Sequence, residues 1–418
     1  MFEPDSTAAS AGSPDRSDTM TEQLLADAER TILYTADRPG IVMERGEGMY
    51  LWDTEGKRYL DFIGGWAVTC LGHSPAAIRE ALARQSSTLV NASPAFYNKP
   101  MIELARLLTR LSGFDKAFFA SSGAEANEGA IKLARKHGAV NLGGASEIVT
   151  ATNGFHGRTL ATMSATGKAR WEPLFAPKVP GFKHVPFNDA ASMRTAVDGR
   201  TCAVMLELVQ GEGGVNEADA DYVRSVRELC DESGAMLIFD EIQTGLGRTG
   251  NMFAFEHYGV RPDVLTLGKG IGGGFPLSAM LAARAFDLFE PGDQGGTYTG
   301  QPLAMAVGHA VVSEIANRKL HENAEAVGEY VKNGLSRIAD AYGLSRIRGK
   351  GLLLAFDLHA PYGPDLVAEC LRGGLLINSP SPTAIRLMPP LIVTKEQADD
   401  MLLLLSEALD RCSRRSFG

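Results

Sequence analysis

Residues 262–280 read PDVLTLGKGIGGGFPLSAM. A short apolar run ends at one lysine, Lys269, and a glycine-rich loop follows. Burying an ammonium at the end of a strand without a partner is expensive, so this cation needs a reason. The stretch upstream, AMLIFDEIQTGLGRTG (235–250), has the same form, with an apolar run closed by Asp240. Further runs of this kind are KAFFAS (116–121), EIVTAT (147–152) and CAVMLEL (202–208). Helical patterns such as AAIREALARQSSTL (76–89) and KPMIELARLLTRLS (99–112) alternate with them. Short Val/Ile/Leu-rich runs interleaved with helices predict βαβ units and an α/β fold, with a mostly parallel central sheet covered by helices.

The two ends of the chain differ from this middle. GIVMERGEGMYLWDTEGKRYLDFIGG (40–65) alternates in polarity and breaks at turn residues, which predicts an antiparallel meander. Strand and turn signals return in LSRIRGKGLLLAFDLH (344–359) and TAIRLMPPLIVT (383–394), before an amphipathic helix at 395–412. The expected organisation is a disordered leader over 1–20, a large α/β domain over 76–310, and a smaller α+β domain. Residues 21–75 and 311–418, from both termini, build that smaller domain.

Composition narrows the function. With 44% hydrophobic and 22% charged residues, the 418-residue chain is an ordinary globular protein. A net charge of −9, spread along the chain, argues against a nucleic-acid surface. Five scattered cysteines without C-x-x-C spacing predict neither disulfides nor a zinc site, and fit a reducing cytoplasm. No run is long enough to span a membrane, and the Ser/Ala/Pro-rich start lacks the apolar core of a signal peptide. Met20 is a second candidate start.

Ligands of doubly wound sheets sit beyond the carboxyl ends of the strands. The predicted strand ends supply Ser121, Ser122, Asn127, Phe155, His156, Arg158, Glu207, Gln210, Asp240, Glu241, Gln243 and Lys269. SSGAEANEGAIKLARKHG (121–138) opens a helix on small residues, either as an anion site or as an ordinary N-cap. A buried Asp240 must pair with a cation or with donors. A shared metal with Glu241 is the weaker reading, because neighbours on a strand point to opposite faces. A desolvated lysine has a lowered pKa and serves as an amine nucleophile able to form a Schiff base. The run Gly272–Gly274 reads as clearing room beside a bulky ligand. One cofactor uses all of these parts: pyridoxal phosphate, which needs a lysine, an acid at its ring nitrogen, a phosphate cradle and an aromatic to stack on its ring.

The motifs YLWDTEGKRYLDFIGGWAV, SSGAEANEGAIKLAR, GFHGRT, QGEGGV, IFDEIQTGLGRTG and LTLGKGIGGGFPLSAM stand in this order from residue 50 to 280. On them the sequence resembles the class III (ω-amino acid) aminotransferases of the fold-type I pyridoxal-phosphate enzymes, especially acetylornithine and ornithine aminotransferases. The resemblance implies that Lys269 carries the cofactor, Asp240 faces its ring nitrogen, Gln243 its ring hydroxyl, and that Phe155 stacks beside His156. It also implies that Ser122, Gly123 and Ala124 hold the phosphate, and that Thr297 reaches the phosphate of a neighbouring subunit, hence a homodimer with shared active sites.

For substrates it implies that Arg158 and Tyr34 grip the donor's α-carboxylate and that Arg386 binds 2-oxoglutarate. Glu207 then masks Arg386 while the ω-amino donor is bound. The implied reaction moves the ω-amino group of N2-acetylornithine or a similar ω-amino acid to 2-oxoglutarate. Alternatives are 4-aminobutyrate, ornithine or another acyl-diamino acid as donor, and less so a racemase or mutase. The sequence departs from the family pattern at Gln294, Gly296, Thr299 and Gln301, and has Leu208 where proline is common.

Overall fold

The computed structural model describes residues 19–416. Most of the expected leader therefore lies outside the described residues. Helix Met20–Thr31 opens on a capping box, in which Thr19 and Glu22 satisfy each other's backbone donors.

The centre is a seven-stranded sheet. Its spatial order is Lys116–Ala120, Ser278–Ala282, Val264–Leu267, Met236–Asp240, Thr201–Leu206, Glu147–Ala151 and Phe182–Val185. Ser278–Ala282 runs antiparallel to both of its neighbours, and the other pairings are parallel. Thr201–Leu206 and Met236–Asp240 are buried at every position, as continuous apolar runs in a doubly covered sheet should be. Truncating a fully buried side chain such as Phe239 to alanine costs about 3–5 kcal/mol.

All five apolar runs named above form strands of this sheet. Two strands are not legible in the sequence. Phe182–Val185 is an edge strand carrying Lys183 and His184, while Ser278–Ala282 is made of small residues behind the glycine loop. The glycines of that loop serve the turn rather than a ligand. A Cβ on Gly272 would overlap the carbonyl of Phe275, and one on Gly273 would lie 3.0 Å from Ile78 and 3.1 Å from Val311. The expectation that these glycines clear room beside a ligand is thus corrected for Gly272 and Gly273, where the chain's own atoms fill the space, while Gly274, at φ 121°, has open space beside it.

The meander forms as Met43–Glu47, Tyr50–Asp53 and Arg58–Asp61. Its fourth strand, Leu375–Leu376, comes from the other end of the chain and pairs in parallel with Arg58–Asp61. Lys57 Nζ reinforces this join by donating to the carbonyls of Leu371 (3.1 Å) and Arg372 (3.0 Å). A third sheet, of Ser345–Lys350, Leu353–Asp357, Ala384–Leu387 and Asn378–Ser381, presents Arg386. The buried Arg248 ties this sheet to the loop after Asp240, donating to the carbonyls of Leu352 (3.1 Å) and Pro389 (2.5 Å).

Candidate active site

Asp240 ends its strand only 4% exposed, so its charge must be met inside the protein. One oxygen accepts from the Asn127 amide (2.8 Å) and faces His156 Nδ1 (2.8 Å), and the other accepts from the Ile242 N–H (3.0 Å). Asn127 reaches Asp240 from the helix Gly123–Asn141 and also binds the carbonyl of His156 at 2.7 Å. Burial pushes the His156 ring toward neutrality, yet Asp240 outweighs it and raises its pKa. Glu241 points elsewhere, accepting from the N–H groups of Ala254 and Phe255, both at 2.7 Å. The two adjacent carboxylates thus have separate partners, as strand geometry requires.

Lys269 follows Val264–Leu267 after one glycine and has a left-handed backbone, φ 42°. That conformation is uncommon for a residue with a side chain and is a form of strain often stored at functional sites. Desolvation brings its ammonium down to about 8, against the pull of Glu212, Asp240 and Glu207. A sizeable fraction is therefore neutral amine near physiological pH.

Ser122 caps the helix Gly123–Asn141. Its hydroxyl accepts from the Glu125 N–H and donates to the Glu125 carboxylate (2.9 Å), which also accepts from the Ser121 N–H (3.1 Å). The start of the helix is packed tightly, since a Cβ on Gly123 would come within 2.9 Å of Ile242. Gln243, three residues after Asp240, is buried with its side-chain oxygen unpartnered.

Phe155 is half-buried and meets the edge of Trp171, with ring centroids 5.7 Å apart. Its N–H donates to Glu207 at 2.8 Å, and Glu207's other oxygen accepts from the Gly211 N–H at 3.3 Å. Burial raises the Glu207 pKa, with Asp240 adding to the effect. Glu207 is thus a brace for two backbone segments.

Arg386 is 1% exposed, and its carboxylate partner is Glu212, at 2.8 Å. It also donates to the Gly211 carbonyl (2.6 Å) and, from two nitrogens, to the Asn378 side chain (3.1 and 2.8 Å). The expected pairing of Arg386 with Glu207 is corrected here. The pair Val209–Gln210 and Asn216–Glu217 forms a hairpin, and Glu212 sits in its loop and reaches Arg386. Burial works against the Glu212 carboxylate, but Arg386, then Lys168 and Lys269, outweigh it and hold it down at about 2.

Three expected residues are exposed rather than enclosed in the site. Tyr34 is 81% exposed, and its hydroxyl faces Asp37 at 3.5 Å. Arg158 is exposed and stacks on Trp171, 4.3 Å from the ring centre. Thr297 is exposed.

Glu212, Lys168 and Trp66 were not picked out from the sequence, although Glu212 lies inside the QGEGGV motif. Trp66 stands in a left-handed turn, with φ near 57–68° from Gly64 to Ala67, and the Arg386 guanidinium lies 5.6 Å from its ring centre. Such a turn costs roughly 1–2 kcal/mol for each non-glycine residue. Asp61 holds it by accepting from the N–H groups of Ile63 (2.8 Å) and Gly64 (3.0 Å). Its signals were the GlyGly doublet before an aromatic and its place in the motif YLWDTEGKRYLDFIGGWAV.

The family description "Aminotransferase class-III" matches residues 34–409. The chain is a class III aminotransferase. This aminotransferase is 45% identical over 383 residues to the acetylornithine aminotransferase of Caldanaerobacter subterraneus subsp. tengcongensis, covering 91% of this chain and 98% of that one. It is 51% identical over 369 residues to acetylornithine aminotransferase 2 of Bordetella bronchiseptica, covering 87% and 93%. Among solved structures, it superposes on the ornithine aminotransferase of Toxoplasma gondii with a TM-score of 0.91, at 30% identity, covering 96% and 97% of the two chains. For the acetylornithine aminotransferase of Elizabethkingia anophelis the TM-score is 0.84, at 33% identity, covering 94% and 100%.

Class III aminotransferases depend on pyridoxal phosphate, and the residues of this aminotransferase fit it. The unpartnered buried oxygen of Gln243, the buried carboxyl group of Asp240 and the part-neutral Lys269 are the kinds of group this cofactor needs. Among the described residues no helix is long and apolar enough to cross a membrane.

Proposed function

We propose that this aminotransferase moves the ω-amino group of N2-acetylornithine, or a closely similar ω-amino acid, to 2-oxoglutarate, giving a semialdehyde and glutamate. The observation that carries the reading is the masking of Arg386 by Glu212 at 2.8 Å. An ω-amino donor presents an uncharged chain next to its reacting carbon, and a bare guanidinium there would be left buried without a counter-charge. 2-Oxoglutarate presents a carboxylate at that point, which a guanidinium can grip with two hydrogen bonds. One site thus serves two substrates if Glu212 yields. The two acetylornithine aminotransferases named above support this donor. The departures around Gln294 and Gln301 favour, as a second reading, a different ω-amine such as ornithine or 4-aminobutyrate.

Bound pyridoxal phosphate supplies an electron sink that stabilises negative charge on the donor carbon. In this reading Lys269 would hold it, and its amine would carry the proton at the reacting carbon. Asp240 would keep the ring nitrogen protonated, with Asn127 and His156 fixing the carboxylate. Gln243 would meet the ring hydroxyl, Phe155 the ring face, and Ser122, Gly123 and Ala124 the phosphate. Arg158 and Tyr34 take the donor's α-carboxylate.

A cytoplasmic homodimer with shared sites belongs to the same proposal. Thr297 stands beside a surface carrying Phe96, Tyr97 and Tyr298, which are 69%, 87% and 65% exposed. The two segments are joined by Asn98 donating to the Gly300 carbonyl at 2.9 Å. Exposed apolar groups gathered in this way mark association surfaces.

The test is a pair of half-reactions. Arg386→Gln should weaken the 2-oxoglutarate half-reaction by about a hundredfold or more, in line with losing a charged pair, and the donor half-reaction far less. Equal losses in both would sink the two-substrate site. A panel of amines, followed by the loss of cofactor absorbance, identifies the donor.

A further inference from the structure

Glu212 has a second cation. Its Oε1 accepts from Arg386 at 2.8 Å, while its Oε2 lies 3.4 Å from the ammonium of Lys168. The carboxylate bridges two positive groups, one on each oxygen. Lys168 is held in place: its side chain is only 11% exposed, and its ammonium lies 5.2 Å from the ring centre of Phe155 and 5.3 Å from that of Trp171. Arg170 and Arg158 flank the same indole, at 5.9 and 4.3 Å. Glu212, with the more deeply buried Glu207 whose charge also reaches Lys168, thus faces Arg386, Lys168, Arg170 and Arg158, a corner with an excess of positive charge.

When a substrate carboxylate takes the Arg386 guanidinium, Glu212 loses that partner and faces a like charge. Without a cation other than the Lys269 amine at hand, the displaced carboxylate would have to stay beside the incoming one or lose its charge in a partly buried place. Lys168 removes that difficulty, because one oxygen of Glu212 is already turned toward it. Resting on the two-substrate reading of Arg386, the geometry points to Lys168 as the positioning residue that receives Glu212 when 2-oxoglutarate binds. It thereby sets how readily the site changes from amino donor to keto-acid acceptor. Desolvation and Arg170 lower the Lys168 pKa, and Glu212 opposes them, so the pair stabilises the charge that the exchange uses.

A plain structural clamp is the competing explanation, and the two differ in which substrate suffers. Lys168→Met keeps the aliphatic stem between Phe155 and Trp171 and removes the charge. Glu212 is then left to Arg386 alone, and the pair becomes harder for 2-oxoglutarate to open. In the holoenzyme we expect KM for 2-oxoglutarate to rise about tenfold, on the scale of one charged pair, with kcat and the donor half-reaction affected at least several-fold less. Calorimetric binding of 2-oxoglutarate to the pyridoxal form, with which it does not react, should weaken in parallel, and Lys168→Arg should restore both. In a Glu212→Gln background the effect of Lys168→Met should vanish.

Unchanged affinity for 2-oxoglutarate in Lys168→Met, or equal losses in both half-reactions, overturns the proposal. So does an undiminished effect in the Glu212→Gln background, which would mean that Lys168 touches the substrate itself. If Arg386→Gln leaves 2-oxoglutarate binding intact, the parent reading falls and this one falls with it. If Arg386→Gln abolishes that binding while Lys168→Met is silent, only this one falls.

Discussion

Two carboxylates, the buried Asp240 and the half-buried Glu212, sit in the same site and are held in opposite ways. Asp240 is surrounded by donors from three segments: the helix that carries Asn127, the loop that carries His156, and its own turn at Ile242. None of these partners resembles a substrate group, so nothing that binds should displace them. Glu212 instead bridges Arg386 and Lys168, and the group that competes for Arg386 is a carboxylate like its own. A fully satisfied network fixes one geometry, whereas a carboxylate shared between two cations has a second place to go. One corner is built to stay and the other to exchange.

Substitutions at the fixed corner should therefore damage both half-reactions alike, while those at the exchanging corner should separate them. The largest effect is expected for Asp240→Asn. It keeps the shape but not the charge that, in the proposed reading, would hold the ring nitrogen protonated, and both half-reactions should slow by about 10³ in single-turnover measurements. A loss confined to one half-reaction would break the comparison.

Next is His156→Phe, which removes one of the two side-chain partners that Asp240 has at 2.8 Å. Rates in both directions should fall by about ten- to a hundredfold, with weaker retention of pyridoxal phosphate on dialysis, because a buried charge loses a hydrogen-bonded partner. A loss restricted to 2-oxoglutarate would place His156 in the exchanging corner instead.

The smallest effect is in pH. With the Lys269 ammonium lowered to about 8 by desolvation, the reactive neutral amine is a minor form at pH 7 and the major one at pH 9. The rate at which cofactor-free protein captures pyridoxal phosphate should rise roughly tenfold over that interval and then level off. A rise of about a hundredfold with no levelling is what an ordinary solvated lysine would give, and would show that Lys269 is not desolvated.

The central sheet was legible because its strands are buried on both faces and therefore read as unbroken apolar runs. Ser278–Ala282 was missed because its small residues carry no such run, and Phe182–Val185 because an edge strand tolerates Lys183 and His184. Within the site, Lys269 and Asp240 announced themselves by chemistry that a strand end ordinarily avoids. Trp66 and Lys168 did not, since an isolated tryptophan or lysine has many ordinary uses. Glu207 was the expected partner of Arg386, and the structure turns it onto the backbone of Phe155 and Gly211.

By itself the sequence determined the α/β core, the strand-end lysine and acid, and the order of the motifs. These depend on burial periodicity and on residue types that are costly where they stand. Tertiary structure decided which carboxylate meets Arg386, because that contact joins positions 174 apart in the chain. It hangs on the way the hairpin of Val209–Gln210 with Asn216–Glu217 turns back on itself. A hairpin's direction sets which side chain faces across a gap, and residues closer in sequence carry no record of what stands on the far side.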